Sequence, residues 1–154
     1  MKATLKHTPD GVGLAAAQIG RSLRVFIVSE ESEEINKTER RWRRDHIAYK
    51  EGKPYEARAW RYDVYINPTV KNRSRKKYAD VEGCLSVPGK YGTVERSEKI
   101  TVDAYDEHGK KFTRGTTRFV ARVLQHELDH LDGTLFIDKV KEWVRLEERT
   151  IGDA

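Results

Sequence analysis

The chain has 154 residues, enough to bury a core, and we predict a single domain over residues 1–154. Charged residues make up 36% of it, no apolar run reaches membrane-spanning length and no signal peptide opens it, which favours a cytoplasmic protein. The net charge of +5 fits an anionic partner such as RNA. However, the basic clusters Arg40–Arg44 and Lys71–Lys77 are interpreted as solvated surface.

Short runs rich in branched and aromatic residues predict the strands. In chain order these runs are Leu23–Val28, Ile47–Tyr49, Tyr55–Ala59, Tyr62–Ile66, Ile100–Tyr105 and Lys111–Thr116. The second and third predict a small surface hairpin within a long charged stretch, and Asn67-Pro68 is expected to end the fourth. The turn Asp106–Gly109 predicts that the last two runs form another hairpin.

The strongest helical pattern follows these strands. Thr116 or Thr117 can cap its start, and Gly133 stands where helices commonly end. Its apolar positions fall on two stripes, which is typical of a buried helix. One stripe contains Phe119, Val123, His126 and His130, and the other contains Val120, Leu124, Leu128 and Leu131. A short amphipathic helix is also predicted around Val140–Arg149. The expected fold is α+β, with antiparallel sheets packed around a central metal-binding helix and a short C-terminal helix.

Two histidines on the buried helix predict a metal site. His126 and His130 are four residues apart, so both imidazoles can reach one ion from the same helix face. Glu127 lies between them, where it can act as a general base on water held by a metal. The alternative is a core helix whose histidines bond to backbone carbonyls, but this leaves a buried Glu127 without a role. The single cysteine, Cys84, excludes an internal disulfide and is either a ligand or nucleophile or a small buried side chain.

Two further segments carry unusual residue combinations. One is Gly11-Val-Gly-Leu-Ala-Ala-Ala-Gln18, and the other is Glu82-Gly-Cys-Leu-Ser86. Taken in this order with the His-Glu-x-x-His helix, they resemble the signatures of the peptide deformylase family. That family removes the formyl group from the initiator methionine of new proteins. Ile66-Asn-Pro68 and Arg96-Ser-Glu-Lys99 are similar to further family landmarks, and the resemblance covers about Asp10 to Asp138.

The resemblance implies a hydrolase with one divalent metal ion. Cys84, His126 and His130 would supply three ligands and leave the fourth position for water, as catalytic sites do. The family prefers Fe²⁺, and Zn²⁺, Ni²⁺ or Co²⁺ can replace it, since a Cys/His₂ set accepts most late first-row ions. Glu127 would exchange the proton. By resemblance, the Gln18 side-chain amide and the backbone N–H of Leu85 would stabilise the charge on the carbonyl oxygen.

The expected substrates are formyl-methionyl nascent peptides. The peptide would lie extended beside the Gly11–Gly13 segment and pair with its backbone as an added strand. Gly13 and Gly83 are therefore assigned to substrate binding. Val12 and Val123 are predicted to wall the pocket for the methionine side chain, although plain core packing is the alternative for both valines.

The sequence also departs from the family pattern. Only ten residues precede Gly11, where typical members carry an extra strand and helix, so we expect a shortened N-terminal segment. Residues of about 30–60 form a longer insert than usual. Tyr91 stands where many bacterial members have an arginine beside the peptide. A basic face with Lys139, Lys141, Arg145 and Arg149 could contact the ribosome. The protein is otherwise expected to be a monomer without membrane or specific DNA partners.

Two other functions remain open from the sequence. A zinc peptidase shares the histidine pair, and Asp138 is the candidate for its downstream third ligand. A nonenzymatic ribosome- or RNA-binding protein with a structural metal would fit the basic charge. The presence of Glu127 and Gln18 argues against that second function, because a structural metal needs neither.

Overall fold

The computed structural model describes residues 1–8, 11–37 and 60–145 of the chain. Its helices are α1 (Lys2–Lys6), α2 (residues 31–37) and α3 (Arg118–Leu131), with short 3₁₀ helices at Ala16–Ile19 and Phe136–Lys139. Its strands are β1 (Gly13–Ala15), β2 (Val25–Ser29), β3 (Tyr62–Arg73), β4 (Lys77–Cys84), β5 (Val87–Ser97), β6 (Lys99–Tyr105), β7 (Lys111–Thr117) and β8 (Val140–Val144). No helix within these ranges combines the length and the apolar character that a membrane crossing requires.

The strands form two antiparallel sheets. The larger has the order β1-β2-β3-β6-β7, and the smaller has the order β4-β5-β8. The predicted hairpin is confirmed, because β6 pairs with β7 from Lys99↔Thr117 to Tyr105↔Lys111. The mixed α and β architecture with antiparallel sheets is confirmed as well. β1 and β4 each lie at an edge of their sheet, so each has one side free of a neighbouring strand within the described residues.

The core lies between α3 and the larger sheet. It is built from buried apolar side chains of five elements: Ala15, Phe26, Val28, Tyr65, Ile100, Val102, Ala104, Ala121, Val123, Leu124 and Leu128. Phe26 stacks on Tyr65 with a ring-centroid distance of 4.7 Å. The alternation along β6 explains this arrangement, because Ile100, Val102 and Ala104 point to the helix while the residues between them are more exposed.

The long strand β3 corrects one prediction. Asn67-Pro68 does not end the strand, which continues to Arg73. Instead, the pairing of β3 with β6 shifts its register between Ile66 and Thr69, and Asn67 has a φ of 47°. A bulge of this kind tolerates a proline because the residue without an N–H falls where the ladder is already interrupted.

The predicted closing helix is also wrong over the part that the structure describes. Val140–Val144 forms β8, which pairs with β5 through Tyr91↔Val144 and Gly92↔Trp143. Gly92 makes this pairing possible, because a Cβ there would lie 2.6 Å from a methyl group of Val140. Residues 146–149 of that prediction, and the hairpin predicted within residues 47–59, lie outside the described residues.

The helix α3 begins and ends as the sequence predicts, but its cap differs. Thr117 is the N-cap residue and makes no side-chain cap hydrogen bond. The backbone N–H of Phe119 instead donates to Oδ1 of Asn36, at 3.2 Å, so the cap comes from α2. At the other end Gly133 has a φ of 72°, a conformation that favours glycine.

Candidate active site

Three side chains with metal-ligand chemistry meet between the smaller sheet and α3. Cys84 is the last residue of β4, and His126 and His130 lie one turn apart on α3. Cys84 Sγ lies 3.3 Å from His130 Nε2, which in turn lies 3.2 Å from His126 Nε2. The ligand atoms of these three residues all lie within 4.8 Å of one another. They could therefore hold one ion between them, although Cys84 is far from the two histidines in the chain.

The environment of Cys84 favours the form of the thiol that binds metals. Leu85 and Ser86 make a two-residue turn, because Cys84 pairs directly with Val87. Burial raises the pKa of Cys84, but hydrogen bonds from His126, His130 and the Ser86 backbone outweigh it and lower the pKa to about 5. A thiolate beside two imidazoles is a donor set that suits zinc and other late first-row divalent ions. The residues present therefore fit such an ion.

A buried carboxylate orients one of the two imidazoles. His126 Nδ1 lies 3.1 Å from Oε2 of Glu82, so a proton on Nδ1 can be donated to that oxygen. The lone pair of Nε2 then faces Cys84 and His130, as second-shell carboxylates commonly arrange. Arg96 donates to both oxygens of Glu82 at 2.8 Å, and Arg122 donates to Oε1 at 2.6 Å. Burial raises the pKa of Glu82, but the hydrogen bonds and charges of Arg96 and His126 outweigh this effect and lower the pKa to about 2.

The functional interpretation of the sequence did not include Glu82, Arg96 and Arg122 in the site. Glu82 and Arg96 were noted only as parts of motifs. Arg122 carried a usable signal, since it is a charged residue on a helix with two apolar stripes, where burial is expected. Such a residue must find a partner when buried, and Arg122 is only 3% exposed.

Glu127 is fully enclosed beside these candidate ligands. It is 3% exposed, and its Oε2 has no hydrogen-bond partner among the described residues. Burial raises the pKa of Glu127 to about 7, although the nearby His126 and His130 act in the opposite direction. A Cβ on Gly13 would lie 2.4 Å from Oε1 of Glu127, so a larger residue there would displace this carboxyl group from its present position. A carboxyl group in this state can accept and release a proton.

Gln18 reaches the same place from the glycine-led segment. That segment forms β1 and the following 3₁₀ helix. The backbone N–H of Ala15 donates to Gln18 Oε1 at 2.8 Å, which fixes the direction of the amide. Gln18 Nε2 consequently faces the site, where it lies 3.7 Å from Cys84 Sγ and 3.0 Å from Ser86 Oγ. The interpretation of the sequence gave Ser86 no individual role.

A cavity of about 400 Å³ opens beside these groups. Of the residues predicted to bind substrate or carry catalysis, it is lined by Val12, Gly13, Gln18, Gly83, Leu85, Val123 and Glu127. Val123 also belongs to the main core cluster and Val12 packs against it, so core packing and cavity lining are both true of these valines. Tyr91 lies over Gly83, where a Cβ would come within 2.7 Å of its ring.

Asp138 is not part of the metal-ligand group. It lies in the 3₁₀ helix Phe136–Lys139, and its carboxylate accepts a hydrogen bond from the backbone of Leu135 at 2.9 Å. Among the described residues, the group whose ligand atoms lie close enough to share an ion consists of Cys84, His126 and His130. Asp138, the candidate third ligand of a zinc peptidase, therefore caps its own 3₁₀ helix instead.

Comparisons with known proteins point to one family. Peptide deformylase 1A, chloroplastic/mitochondrial, from Arabidopsis thaliana is 41% identical over 130 residues, which cover 84% of this chain and 45% of that protein. Peptide deformylase from Pseudothermotoga lettingae is 39% identical over 134 residues, which cover 87% of this chain and 61% of that protein. The chain thus spans about half to three fifths of the length of these relatives.

A solved structure gives the same result for the fold. The crystal structure of a probable peptide deformylase from Synechococcus phage S-SSM7 superposes with a TM-score of 0.70 at 32% identity, over 90% of this chain and 78% of that one. The model of the polypeptide deformylase family matches residues 1–145, which include the glycine-led segment, the Cys84 turn and α3. The chain therefore belongs to the polypeptide deformylase family.

Proposed function

We propose that this protein is a metal-dependent hydrolase that removes the formyl group from formyl-methionyl peptides and releases formate. The observation that carries the proposal is the convergence of Cys84, His126 and His130 beside Glu127 and Gln18 at one cavity. Metal-ligating side chains, a buried carboxyl group that can transfer a proton and an amide N–H donor are the groups that metal-assisted hydrolysis of a small amide requires.

The metal would be held by α3 and the end of β4. His126 and His130 would bind through Nε2 and Cys84 through its thiolate, so α3 is the metal-binding helix of the fold. We expect Fe²⁺ in the cell, with Zn²⁺, Ni²⁺ or Co²⁺ able to replace it in purified protein. When bound, such an ion would lower the pKa of the attacking water and polarise the formyl oxygen.

Glu127 would move the proton. As the water oxygen bonds to the formyl carbon, Glu127 takes a proton from that water. The bond between the formyl carbon and the peptide nitrogen then breaks, and Glu127 returns the proton to that nitrogen. The products are formate and a peptide with a free amino terminus. The buried Oε2 atom of Glu127, without a partner among the described residues, supports this role.

Two N–H groups would stabilise the oxygen that gains charge. Gln18 Nε2 faces the site because Ala15 holds its carbonyl oxygen, so this donor needs little reorganisation. The second donor would be the backbone N–H of Leu85, in the turn that follows Cys84. Loss of one such donor costs on the order of 10²–10³ in rate.

The peptide would bind between two sheet edges. β1 and β4 are edge strands, and Gly13 and Gly83 on them line the cavity. An extended peptide could pair with either backbone, and small residues let it approach closely. Val12 and Val123 would contact the methionine side chain. The cavity is of the size that holds a small ligand, since typical sites occupy about 300–1,000 Å³.

Formate release from formyl-Met-Ala, measured with wild type and Glu127→Gln, tests the proposal. We expect turnover by the wild type and a loss of about 10²–10⁴-fold in the variant, since a general acid–base is worth that much. Near-normal turnover by Glu127→Gln would contradict the assignment. Cleavage of casein with no formate release would favour the peptidase, and metal binding without either activity would favour the nonenzymatic binder.

Several finer expectations remain predictions. A monomeric state and a cytoplasmic location are retained from the sequence. A ribosome contact also remains a prediction, but it cannot use a helix over Val140–Val144, which is a strand.

A further inference from the structure

The carboxylate of Glu82 receives two donors on each oxygen. Oε1 accepts from Arg96 Nε at 2.8 Å and from Arg122 Nη1 at 2.6 Å. Oε2 accepts from Arg96 Nη2 at 2.8 Å and faces His126 Nδ1 at 3.1 Å. Glu82 and both arginine side chains are at most 4% exposed. Glu82 alone would be enough to orient the imidazole of His126. Two buried guanidinium groups on the same carboxylate therefore indicate a further role.

These donors come from different parts of the fold. Arg96 lies on β5, next to β4 in the same sheet, so its contact with Glu82 stays within the sheet. Arg122 and His126 lie one turn apart on α3 and reach the two oxygens of Glu82 separately. Glu82 is two residues before Cys84 on β4. Arg96 also reaches α3, through Asp129, but Arg122 is the guanidinium group that joins the helix of the histidines directly to Glu82, on the strand of Cys84.

We propose that Arg122 is a positioning residue that fixes the distance and register between the Cys84 strand and the His126–His130 helix. This inference rests on the proposed metal site, and it assigns Arg122 no contact with the substrate or the ion. Arg122 holds Glu82 from the helix side, and a Glu82 held at both oxygens keeps His126 and Cys84 in one geometry.

The other contacts of Arg122 make it a rigid support. Its Nη1 also donates to the carbonyl oxygen of Val94 at 2.9 Å, and its Nη2 donates to that of Tyr78 at 3.1 Å. The guanidinium carbon lies 4.7 Å from the centre of the Tyr78 ring. The planar group thus binds β4 and β5 at three points while it holds Glu82. A lysine has no such fork, so it cannot reproduce this set of bonds.

Binding of Co²⁺ to the metal-free full chain tests the inference without any measurement of catalysis. Chelator competition gives the affinity, and the visible absorption of bound Co²⁺ reports the ligand geometry. We expect Arg122→Met to weaken Co²⁺ binding by about 10- to 100-fold, the usual effect of losing an outer-shell partner, and to change the spectrum. Arg122→Lys should give an intermediate affinity, because it keeps the charge and loses the fork.

Arg114→Met is the matched control. Arg114 also pairs with two carboxylates, those of Asp63 and Glu33, but it is 30% exposed and lies outside the cavity lining. The Co²⁺ affinity and spectrum of the Arg114→Met variant should equal those of the wild type. The thermal midpoint of the metal-free proteins separates a loss of stability from a loss of positioning.

Each outcome has a defined meaning. Wild-type affinity and spectrum in Arg122→Met overturn the inference, even if the midpoint falls. If Arg122→Met does not fold, Arg122→Lys decides, and wild-type affinity and spectrum in that variant overturn it equally. A wild type that binds no Co²⁺ would remove the metal site and the proposed function together. Unchanged binding in the variants removes the role of Arg122 alone.

Discussion

The helix α3 contacts two sheets through opposite kinds of surface. Against the larger sheet it presents Ala121, Leu124 and Leu128, which join an apolar cluster. Against the smaller sheet it presents Arg122, Gln125, His126 and Asp129, which meet Glu82, Arg96 and the backbone of Ser97 through hydrogen bonds and ion pairs. One helix therefore carries a core interface on one side and a site interface on the other.

The two interfaces differ in whether their interactions depend on direction. Apolar burial is non-directional, so the larger sheet stabilises α3 without prescribing the angle of any single contact. Charge-assisted hydrogen bonds depend on distance and angle, so the smaller sheet can fix atoms. Buried ion pairs are weak evidence for net stability, because desolvation offsets their attraction. We infer that the apolar side mainly keeps the helix folded and the charged side mainly keeps the ligands in place.

The largest expected effect on stability is that of Glu82→Gln. It removes the charge that faces Arg96 and Arg122 and leaves Arg122 buried without its carboxylate partner, while Arg96 keeps its ion pair with Asp129. We expect the free energy of unfolding to fall by about 3–5 kcal/mol, as when one partner of a buried pair is lost. Co²⁺ affinity should fall as well. Urea unfolding of the metal-free protein and chelator competition measure the two effects, and a stable variant with normal affinity would refute the division of roles.

Leu124→Ala affects the opposite interface. Leu124 is fully buried in the apolar cluster, so truncation should lower the free energy of unfolding by about 2–5 kcal/mol. Under conditions where the variant is folded, its Co²⁺ affinity should match that of the wild type. If affinity instead fell as far as in Glu82→Gln, the two sides of α3 would not act separately.

Gly13→Ala tests the point where the larger sheet meets the site. The added methyl group would lie 2.4 Å from Glu127 Oε1, so the carboxyl group must move. We expect kcat for formyl-Met-Ala to fall by about 10²-fold, since a displacement of about 1 Å can cost that much. Gly115→Ala is a suitable control, because among the described residues beyond its chain neighbours a Cβ there would meet one atom within 4 Å, Thr101 Oγ1 at 3.7 Å. Equal kcat values for the two variants would argue against a positioned Glu127.

The smallest effect is expected at the start of α3. Asn36→Ala removes the side-chain oxygen that accepts from the Phe119 N–H. The free energy of unfolding should fall by about 1 kcal/mol, the usual cost of a lost cap. Asn36→Asp keeps an acceptor and should retain most of this stability. Thermal unfolding of both variants gives the comparison, and equal losses in the two would exclude a capping role.

Much of the local structure could be predicted from the sequence. The limits of α3 followed from its apolar periodicity and the glycine after it, and the β6–β7 hairpin followed from the turn between two strand-like runs. Within the closing segment, Val140–Val144 was wrongly predicted as helix because its amphipathic pattern is short. Pairing with β5 beside Gly92 decided its conformation instead. The bulge at Asn67-Pro68 was hidden for a similar reason, since only the partner strand determines whether a proline ends a ladder.

The sequence by itself determined which side chains could take part in the chemistry. A cysteine in a Glu-Gly-Cys segment, two histidines one helical turn apart and a glutamate between them follow from residue types and helical spacing. Only the tertiary structure decided that Glu82 lies between Arg96 and Arg122, and that Gly13 makes room for Glu127. Spacing along the chain fixes neighbours within one helix or strand, whereas contacts between elements depend on how whole sheets pack. The partners of a buried charge are therefore defined only once those sheets have met.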